Sequence, residues 1–250
     1  MTENRWNRLT APELRDLAER DAVVLLPVGS TEQHGPHLPT GVDDFLAAEV
    51  CRRAAAAADT LPVVVAPSLW CGLAEHHMPF GGTLTLSLPT LHALLRDICR
   101  SILRAGFRRI LIVNGHGGNV TALNALASEL TVELDSQIAV TSYFTAGREV
   151  IAETLETQGN LMHACEGETS LIWAAFPDLL REDKVAEAVG PAIPLQSEDL
   201  APVYRSVTFD TVTPSGVAGD ARAASAEKGQ HMLDGCARAL ADLILAGIWD

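Results

Sequence analysis

Residues 22–39 read AVVLLPVGSTEQHGPHLP, an apolar run that passes directly into a loop of polar and turn-forming residues. The run Ala22–Val28 is apolar throughout, which is typical of a strand that is buried on both faces. Three more segments predict buried strands, and they are Pro62–Ala66, Arg109–Val113 and Ile138–Tyr143. Because strands of this kind form parallel sheets covered by helices, the pattern indicates the α/β class.

Helical segments alternate with these strands. Residues Thr90–Leu103 place their apolar side chains on one helical face. Further helices are predicted over Phe45–Ala57, after Asn119 through about Leu130, over Glu168–Ala175 and over Ala221–Ile248. The Pro-, Ser- and Gly-rich residues Gly190–Gly219 predict a long irregular segment. We therefore expect one domain over residues 1–250, a three-layer α/β/α sandwich with a mostly parallel central sheet.

Composition excludes several classes of function. The chain has 250 residues, of which 48% are hydrophobic, and 18 Lys and Arg against 32 Asp and Glu give a net charge of −14. Such a chain is not globally disordered, and its acidity disfavours binding to nucleic acid or to an anionic membrane. No apolar run reaches the roughly 18–20 residues of a membrane span. Five scattered cysteines without a CxxC pair favour reduced thiols, so a cytoplasmic protein is expected.

Polar residues follow the first strand at its carboxyl end, where parallel sheets place ligand sites. Glu32 and His34 lie two residues apart, and Asp43 follows nine residues later. These side chains can meet at one divalent cation if the chain turns tightly at Gly35 and Pro36. Imidazole and carboxylate are ligands of zinc and manganese. The alternative is a solvated loop in which the histidines occur by chance.

The strand Arg109–Val113 runs into a second loop, NGHGGN, at residues 114–119. Its glycines allow a ligand to approach the backbone, with His116 as the ligating or catalytic side chain. A dinucleotide loop would need glycine where Val120 stands, and no Walker A sequence is present. An NAD(P)-dependent oxidoreductase is therefore disfavoured, and the absence of a GxSxG elbow disfavours a serine hydrolase.

Two further segments each leave two interpretations open. The stretch HACEGETS, residues 163–170, places Glu168 at a helix start, where it could belong to a site or only cap the helix. Glu75, His76 and His77 could line a pocket or form a polar surface loop. His92 and His231 lie in helical stretches and are interpreted as structural or surface residues.

Together these motifs resemble the creatininase (creatinine amidohydrolase) family. The resemblance rests on GSTEQHGPHLP with Asp43, on MPFGGTLTLS, on VNGHGGN and on HACEGETS. It runs from about Leu26 to Pro177, with a further match around Gly216–Gly229. It implies a layered α/β/α fold, a homo-oligomer for which a hexamer is favoured, and a site for two metal ions.

The resemblance also implies roles for individual residues. Glu32, His34, Asp43 and His116 match metal ligands, with Asp43 bridging the two ions. His163 matches a catalytic histidine and Glu168 a site glutamate, either a ligand or a proton carrier. The chain departs from creatinine-hydrolysing members, which have His-Tyr-Glu in the glycine loop, where this chain has His116-Gly117-Gly118. We infer that Glu168 replaces the missing glutamate ligand.

A second departure concerns the substrate pocket. Phe144 and the stretch near Gly159 stand where tryptophans would surround creatinine. A pocket without the loop tyrosine and two tryptophans cannot clamp creatinine in the same way, so another substrate is expected.

The resulting hypothesis is a metal-dependent amidohydrolase with two divalent ions per subunit, which are Zn, Mn or Fe. A water activated by both ions would cleave the C–N bond of a small amide, cyclic amides included. Predicted catalytic residues are His163, Glu168 and Glu75, predicted metal ligands are Glu32, His34, Asp43, His116 and Glu168, and predicted substrate contacts are His37, His76, Gly117 and Gly118. A mycofactocin-type precursor peptidase, a formamide deformylase and a non-catalytic metal-binding protein stay open as alternatives.

Overall fold

A parallel four-stranded sheet forms the centre of the molecule. The computed structural model of the protein describes residues 3–192 and 206–249. The strands are β1 (Val23–Val28), β2 (Val63–Val65), β3 (Arg109–Asn114) and β4 (Ile138–Ser142). They are ordered β2-β1-β3-β4, and each neighbouring pair is parallel. All four predicted strands are confirmed, with small differences at their ends.

Eight α-helices connect and cover the strands within the described residues. They are α1 (Ala11–Glu19), α2 (Val42–Ala57), α3 (Leu88–Arg104), α4 (Val120–Leu134), α5 (Tyr143–Ala146), α6 (Arg148–Thr154), α7 (Glu166–Ala175) and α8 (Ala226–Leu245). The sequence patterns predicted five of them and missed α1, α5 and α6. The predicted bounds of the last helix, Ala221–Ile248, were too wide. It begins at Ala226 because the Ser225 hydroxyl accepts a hydrogen bond from the Lys228 backbone N–H.

The two faces of the sheet carry separate cores, which explains why β1 is apolar throughout. On one face, Val23, Leu25 and Leu111 belong to a cluster that includes residues of α2, α7 and α8. On the other face, Val24 and Leu26 belong to a cluster with residues of α3 and α4. Because strand side chains alternate between faces, both sets of β1 residues are buried. The predicted three-layer α/β/α sandwich is confirmed.

Helix α2 begins earlier than its predicted start at Phe45, and this places Asp43 in its first turn. A carboxylate is favoured there by the helix dipole. Two glycines let this turn approach the sheet. A Cβ at Gly29 would lie 2.5 Å from the Asp44 Cα, and one at Gly115 would lie 2.3 Å from the Asp43 carbonyl oxygen. The turn that carries Asp43 therefore packs directly against the carboxyl ends of β1 and β3.

The predicted irregular segment Gly190–Gly219 lies partly outside the described residues. Its last part pairs with the segment before α7, where Ala218 and His163 exchange backbone hydrogen bonds of 2.8 and 3.2 Å. Near it, a short 3-10 turn spans Phe209–Thr211. All five cysteines are free and buried. Across the described residues, no helix combines the length and hydrophobicity that crossing a bilayer requires.

Candidate metal centre

Asp43 lies at the centre of a buried cluster of histidines and carboxylates. Its Oδ1 lies 3.3 Å from the His34 Nε2, and its Oδ2 lies 3.0 Å from the His116 Nδ1. Glu168 approaches on the His34 side, with 3.8 Å between its Oε2 and the His34 Nε2. Glu32 approaches on the His116 side, with 3.1 Å between its Oε2 and the His116 Nδ1. The two oxygens of Asp43 thus face two separate sets of donors.

Backbone carbonyls orient the two imidazoles that face Asp43. His34 donates from Nδ1 to the Glu32 carbonyl oxygen at 3.1 Å, which leaves its Nε2 facing Asp43 and Glu168. His116 donates from Nε2 to the Leu73 carbonyl oxygen at 3.1 Å, which leaves its Nδ1 facing Asp43 and Glu32. Metal-binding histidines in proteins typically donate their other N–H in this way. Each inward nitrogen can therefore offer a lone pair to a metal ion once it has lost its proton.

The NGHGGN loop holds His116 in place through its two asparagines. The Asn114 side chain accepts from the His116 backbone N–H at 3.0 Å and donates to the Ser142 hydroxyl at 3.0 Å. The Asn119 side chain donates to the Gly29 carbonyl oxygen at 3.0 Å and accepts from the Leu73 N–H at 2.9 Å. These bonds connect the carboxyl ends of β1, β3 and β4, so the sheet itself fixes the loop.

The segment before α7 supplies His163 and Glu168. His163 donates from Nε2 to the Gln33 carbonyl oxygen at 2.7 Å, and its Nδ1 lies 3.6 Å from the Glu32 Oε1. Its ring centroid lies 4.2 Å from that of His34. Glu168 accepts a short hydrogen bond from the Ala164 N–H. Both side chains are therefore held by backbone groups beside the Asp43 cluster.

Several buried polar atoms in this cluster lack a hydrogen-bond partner among the described residues. They are both carboxylate oxygens of Glu32, the Nε2 of His34 and the Oδ2 of Asp43. Leaving buried polar atoms unpaired is costly, and more so for a charged carboxylate. Three overlapping groups, Glu32-His77-His163, His34-His163-Glu168 and Glu32-His34-Asp43, have ligand atoms within 4.8 Å of one another. Mixed nitrogen and oxygen donors with unused lone pairs fit divalent cations such as zinc or manganese, so this cluster is able to hold metal ions.

Electrostatics separate the protonation states of these groups. Burial lowers the pKa of His34, but Asp43, Glu168 and Glu32 outweigh burial and raise it to about 9. Glu32 and Asp43 likewise outweigh burial at His116 and raise its pKa well above the usual value. Burial, assisted by the Asp43 charge, raises the pKa of Glu168 to about 7. Burial and the neighbouring His34 and His77 lower the pKa of His163 well below its usual value.

The predicted site residues divide into two groups. The structure brings Glu32, His34, Asp43, His116, His163 and Glu168 together. Glu168 lies on the His34 side of Asp43, and its role as the ligand that replaces the missing loop glutamate stays a prediction. Glu75 is exposed, and among the described residues its side chain makes no hydrogen bond or ion pair with the cluster.

The predicted substrate contacts lie at different distances from the cluster. His37 is buried, and its Nε2 lies 2.7 Å from the Thr169 hydroxyl. The His76 ring stacks at 5.7 Å on that of His116. Gly117 faces open space, whereas Gly118 is tightly packed. Their roles in substrate binding, like the catalytic role of Glu75, stay predictions.

Three residues of the cluster were not predicted as metal ligands, catalytic residues or substrate contacts, although His77 belongs to the segment that could line a pocket. His77 lies 3.2 Å through its Nε2 from the Glu32 Oε1, and the Gln33 side chain contacts both His77 and His163. Phe209 covers this side, with ring centroids 4.5 Å from His77 and 4.9 Å from His163. The pair His76-His77 was the only available signal, because Gln33 and Phe209 reach the site through tertiary contacts.

The two glycines after His116 give a matched pair of substitutions. A Cβ at Gly118 would lie 2.4 Å from the His116 Nε2 and 2.8 Å from the Leu73 carbonyl oxygen, whereas nothing lies within 4 Å of one at Gly117. We expect Gly118→Ala to break the His116–Leu73 hydrogen bond and weaken metal binding by roughly 10–100-fold. Gly117→Ala should bind metal as the wild type does. Equal affinities measured by calorimetry for the two variants would contradict this arrangement.

Comparison with known proteins gives consistent results. A family profile described as creatininase, creatinine amidohydrolase, matches residues 7–244. The creatinine amidohydrolase of Pseudomonas putida is 32% identical over 244 residues, which cover 91% of this chain and 90% of that protein. The mycofactocin precursor peptide peptidase of Mycolicibacterium smegmatis is 35% identical over 231 residues, covering 89% and 86% respectively. The 3-dehydro-scyllo-inosose hydrolase of Thermotoga maritima is 28% identical, covering 90% and 78%.

Solved structures of creatininases match this protein over its whole length. A crystal structure of creatinine amidohydrolase (creatininase) matches with a TM-score of 0.83 at 30% identity and covers 100% of both chains. Other creatininase structures are described as a manganese form, with a TM-score of 0.81, and as the Zn–Zn form of a glutamate-to-glutamine variant, with a TM-score of 0.83. Both are 29% identical and cover 100% of both chains.

The α/β/α fold, the buried cluster and these relatives together define an amidohydrolase with a cluster able to hold metal ions. The chain belongs to the creatininase (creatinine amidohydrolase) family. This confirms the family resemblance that the four motifs indicated.

Proposed function

We propose that this protein is a two-metal amidohydrolase that cleaves a C–N bond of a small amide other than creatinine. The observation that carries the proposal is Asp43, whose two oxygens face two donor sets at 3.3 and 3.0 Å. One set is His34 and Glu168, and the other is His116 and Glu32. We assign each set, together with Asp43, to one divalent cation. Binding there would supply partners for the unpaired buried atoms of Glu32, His34 and Asp43.

When bound, such a pair of cations supplies a water of lowered pKa and positive charge to stabilise a developing oxyanion. His163 is the candidate proton carrier. Its Nε2–H is anchored on the Gln33 carbonyl, and its lowered pKa keeps it neutral at neutral pH, with a free lone pair on Nδ1. That nitrogen can accept a proton beside Glu32 and deliver it to a leaving amine. Phe209 and the near-complete burial of the cluster limit the access of bulk water.

Residues near the site support a substrate other than creatinine. The loop after His116 has Gly117 and Gly118 where creatinine-hydrolysing members are expected to carry Tyr and Glu. Gly159 is exposed and nothing lies within 4 Å of a Cβ placed on it, so it offers no wall to a ligand. Phe144 packs against the hydrophobic core and against Tyr143. None of these residues provides the aromatic clamp that creatinine would need.

A screen of substrate classes tests this function. The metal-free protein is reconstituted with Zn²⁺ or Mn²⁺ and incubated with cyclic amides, formamides and short peptides, with and without a chelator. Chelator-sensitive hydrolysis of a cyclic or other small amide is the expected result. Bound metal without hydrolysis of any of them would favour a non-catalytic metal-binding protein.

A peptidase is the second candidate. The mycofactocin precursor peptide peptidase of Mycolicibacterium smegmatis is, at 35%, slightly more identical to this chain than the Pseudomonas enzyme is at 32%. The plain His-Gly-Gly loop also leaves open space at Gly117, where an extended chain could lie. Cleavage of peptides and not of small amides in the same screen would select this alternative.

Metal binding is expected to release protons. The pKa of His34 is raised to about 9 and that of His116 is raised well above its usual value, so both rings are protonated at pH 7 without metal. Ligating nitrogens must be neutral, so binding should release on the order of two protons per chain. The apparent affinity should rise as the pH rises from 7 toward 9. Calorimetry in buffers of different ionisation enthalpy measures the release, and a pH-independent affinity would contradict it.

The family resemblance also implies a homo-oligomer, with a hexamer favoured, in the cytoplasm. Both stay predictions. Multi-angle light scattering measures the first of them directly.

A further inference from the structure

The side-chain amide of Gln33 has only one possible orientation, because two backbone groups define it. Its Oε1 accepts from the Gly35 N–H at 2.9 Å, and its Nε2 donates to the Gly216 carbonyl oxygen at 3.1 Å. A rotated amide would place two donors together at Gly35 and two acceptors together at Gly216. Gly216 has a φ of +73°, and a Cβ there would lie 2.0 Å from the Gln33 Oε1. The second N–H of Gln33 is therefore free to reach one other partner.

Two imidazoles compete for this second N–H. The Gln33 Nε2 lies 2.9 Å from the His77 Nδ1 and 2.9 Å from the His163 Nε2. The His163 Nε2 also lies 2.7 Å from the Gln33 carbonyl oxygen. Two lone pairs would repel at that distance, so the His163 Nε2 carries a proton and cannot accept. The acceptor is therefore the His77 Nδ1.

We propose that Gln33 fixes His77 in the neutral tautomer with its proton on Nε2, so that His77 presents an N–H beside the Glu32 carboxylate and is not a metal ligand. Distance alone would suggest the opposite, since Glu32, His77 and His163 have ligand atoms within 4.8 Å of one another. His77 differs from the other three histidines in the hydrogen bond that the ring nitrogen facing away from the carboxylates makes. On His34, His116 and His163 that nitrogen donates to a carbonyl, whereas on His77 it accepts from an amide.

This tautomer assigns His77 a positioning role. Its Nε2 lies 3.2 Å from the Glu32 Oε1, while the other oxygen of Glu32 lies 3.1 Å from the His116 Nδ1. An N–H beside Oε1 attracts that oxygen and leaves Oε2 to face the metal set that contains His116. Partners of this kind orient metal-binding carboxylates and raise affinity. The role rests on the proposed metal site.

Nuclear magnetic resonance of the ¹⁵N-histidine-labelled protein tests the tautomer directly. The metal-free protein is titrated with Zn²⁺, and long-range ¹H–¹⁵N correlations report which ring nitrogens carry protons. His77→Gln identifies the His77 signals by their loss. We expect His77 to stay neutral with its proton on Nε2 throughout. A proton on Nδ1, a doubly protonated ring, or a zinc-induced ligand shift at Nε2 would each overturn the proposal. The same titration tests the proposed metal site separately. That site would be contradicted if zinc changed the chemical shift of neither the His34 Nε2 nor the His116 Nδ1.

Zinc affinity of two variants tests the role. His77→Gln retains an N–H near the Nε2 position, whereas His77→Leu has none. We expect His77→Leu to weaken zinc binding by roughly 10–100-fold. His77→Gln should recover most of the affinity that His77→Leu loses. If His77 were a metal ligand, His77→Gln would lose as much zinc affinity as His77→Leu. Equal losses in the two variants would overturn the proposal.

Discussion

Asp43→Asn is expected to lower kcat/KM by at least about 10³-fold and to remove most of the bound metal. Each oxygen of Asp43 faces a different donor set, so this one substitution weakens both cation sites. Metal ions contribute several kcal/mol of transition-state stabilisation, and each 1.36 kcal/mol is about tenfold in rate. The variant keeps the size of the side chain but loses its charge. Metal content and hydrolysis of the amide found in the screen measure the two effects.

Asp44→Asn is the matched control. Asp44 lies in the same helical turn and is half-buried, and its carboxyl group bonds Ser68 instead of the histidines. It should retain its metal and most of its activity. Full activity of Asp43→Asn in metal-free form would contradict the two-metal mechanism, and equal losses in both variants would indicate a general effect on the helix start.

Stripping the metal is expected to lower the melting temperature by roughly 10 °C. A ligand present at 1,000 times its Kd stabilises the folded protein by about 4 kcal/mol, and 1 kcal/mol shifts the melting temperature of a chain of this size by about 2–4 °C. Two effects act together here. The buried carboxylates exchange two divalent cations for the smaller positive charge of the protonated His34 and His116 rings, and the unpaired atoms of Glu32, His34 and Asp43 lose their partners. Calorimetric melting before and after chelation measures the shift.

The same melting experiment on Asp43→Asn provides the control. Because this variant should hold little metal, the chelator should leave its melting temperature almost unchanged. A wild-type protein that melts at the same temperature with and without chelator would show that the cluster does not bind its cations in the folded state.

The sheet could be predicted because burial on both faces requires a recognisable local sequence pattern. A strand such as β1 must be apolar at every position, and no solvated strand has that pattern. The three helices that were missed have weaker sequence patterns. Helix α5 has four residues and α6 has seven, too short to show a period. The start of α2 was placed too late because Asp43 and Asp44 look like loop residues until their position at a helix N-terminus is known.

The site was predictable in its members and not in its arrangement. Glu32, His34 and His116 follow strand ends, so the topology alone brings them to one edge of the sheet. The approach of Asp43 depends on contacts that only the folded chain has, namely those at Gly29 and Gly115.

The choice between His76 and His77 could not be made from the sequence. Both lie in one 3-10 turn, and only His77 turns toward Glu32. Gln33 acquires its role from Gly216, which is 183 residues away in the chain. A pattern of residue types within one segment carries no information about such a contact.

Metal content per chain tests the central claim most directly. Protein reconstituted with Zn²⁺ and freed of excess metal should contain about two equivalents by elemental analysis. Glu168→Gln and His116→Gln should each fall to about one, because each removes a ligand from a different set, and Asp43→Asn should fall near zero. A wild-type protein that binds no zinc, or an Asp43→Asn variant that keeps both equivalents, would contradict the assignment of this cluster as a two-metal site.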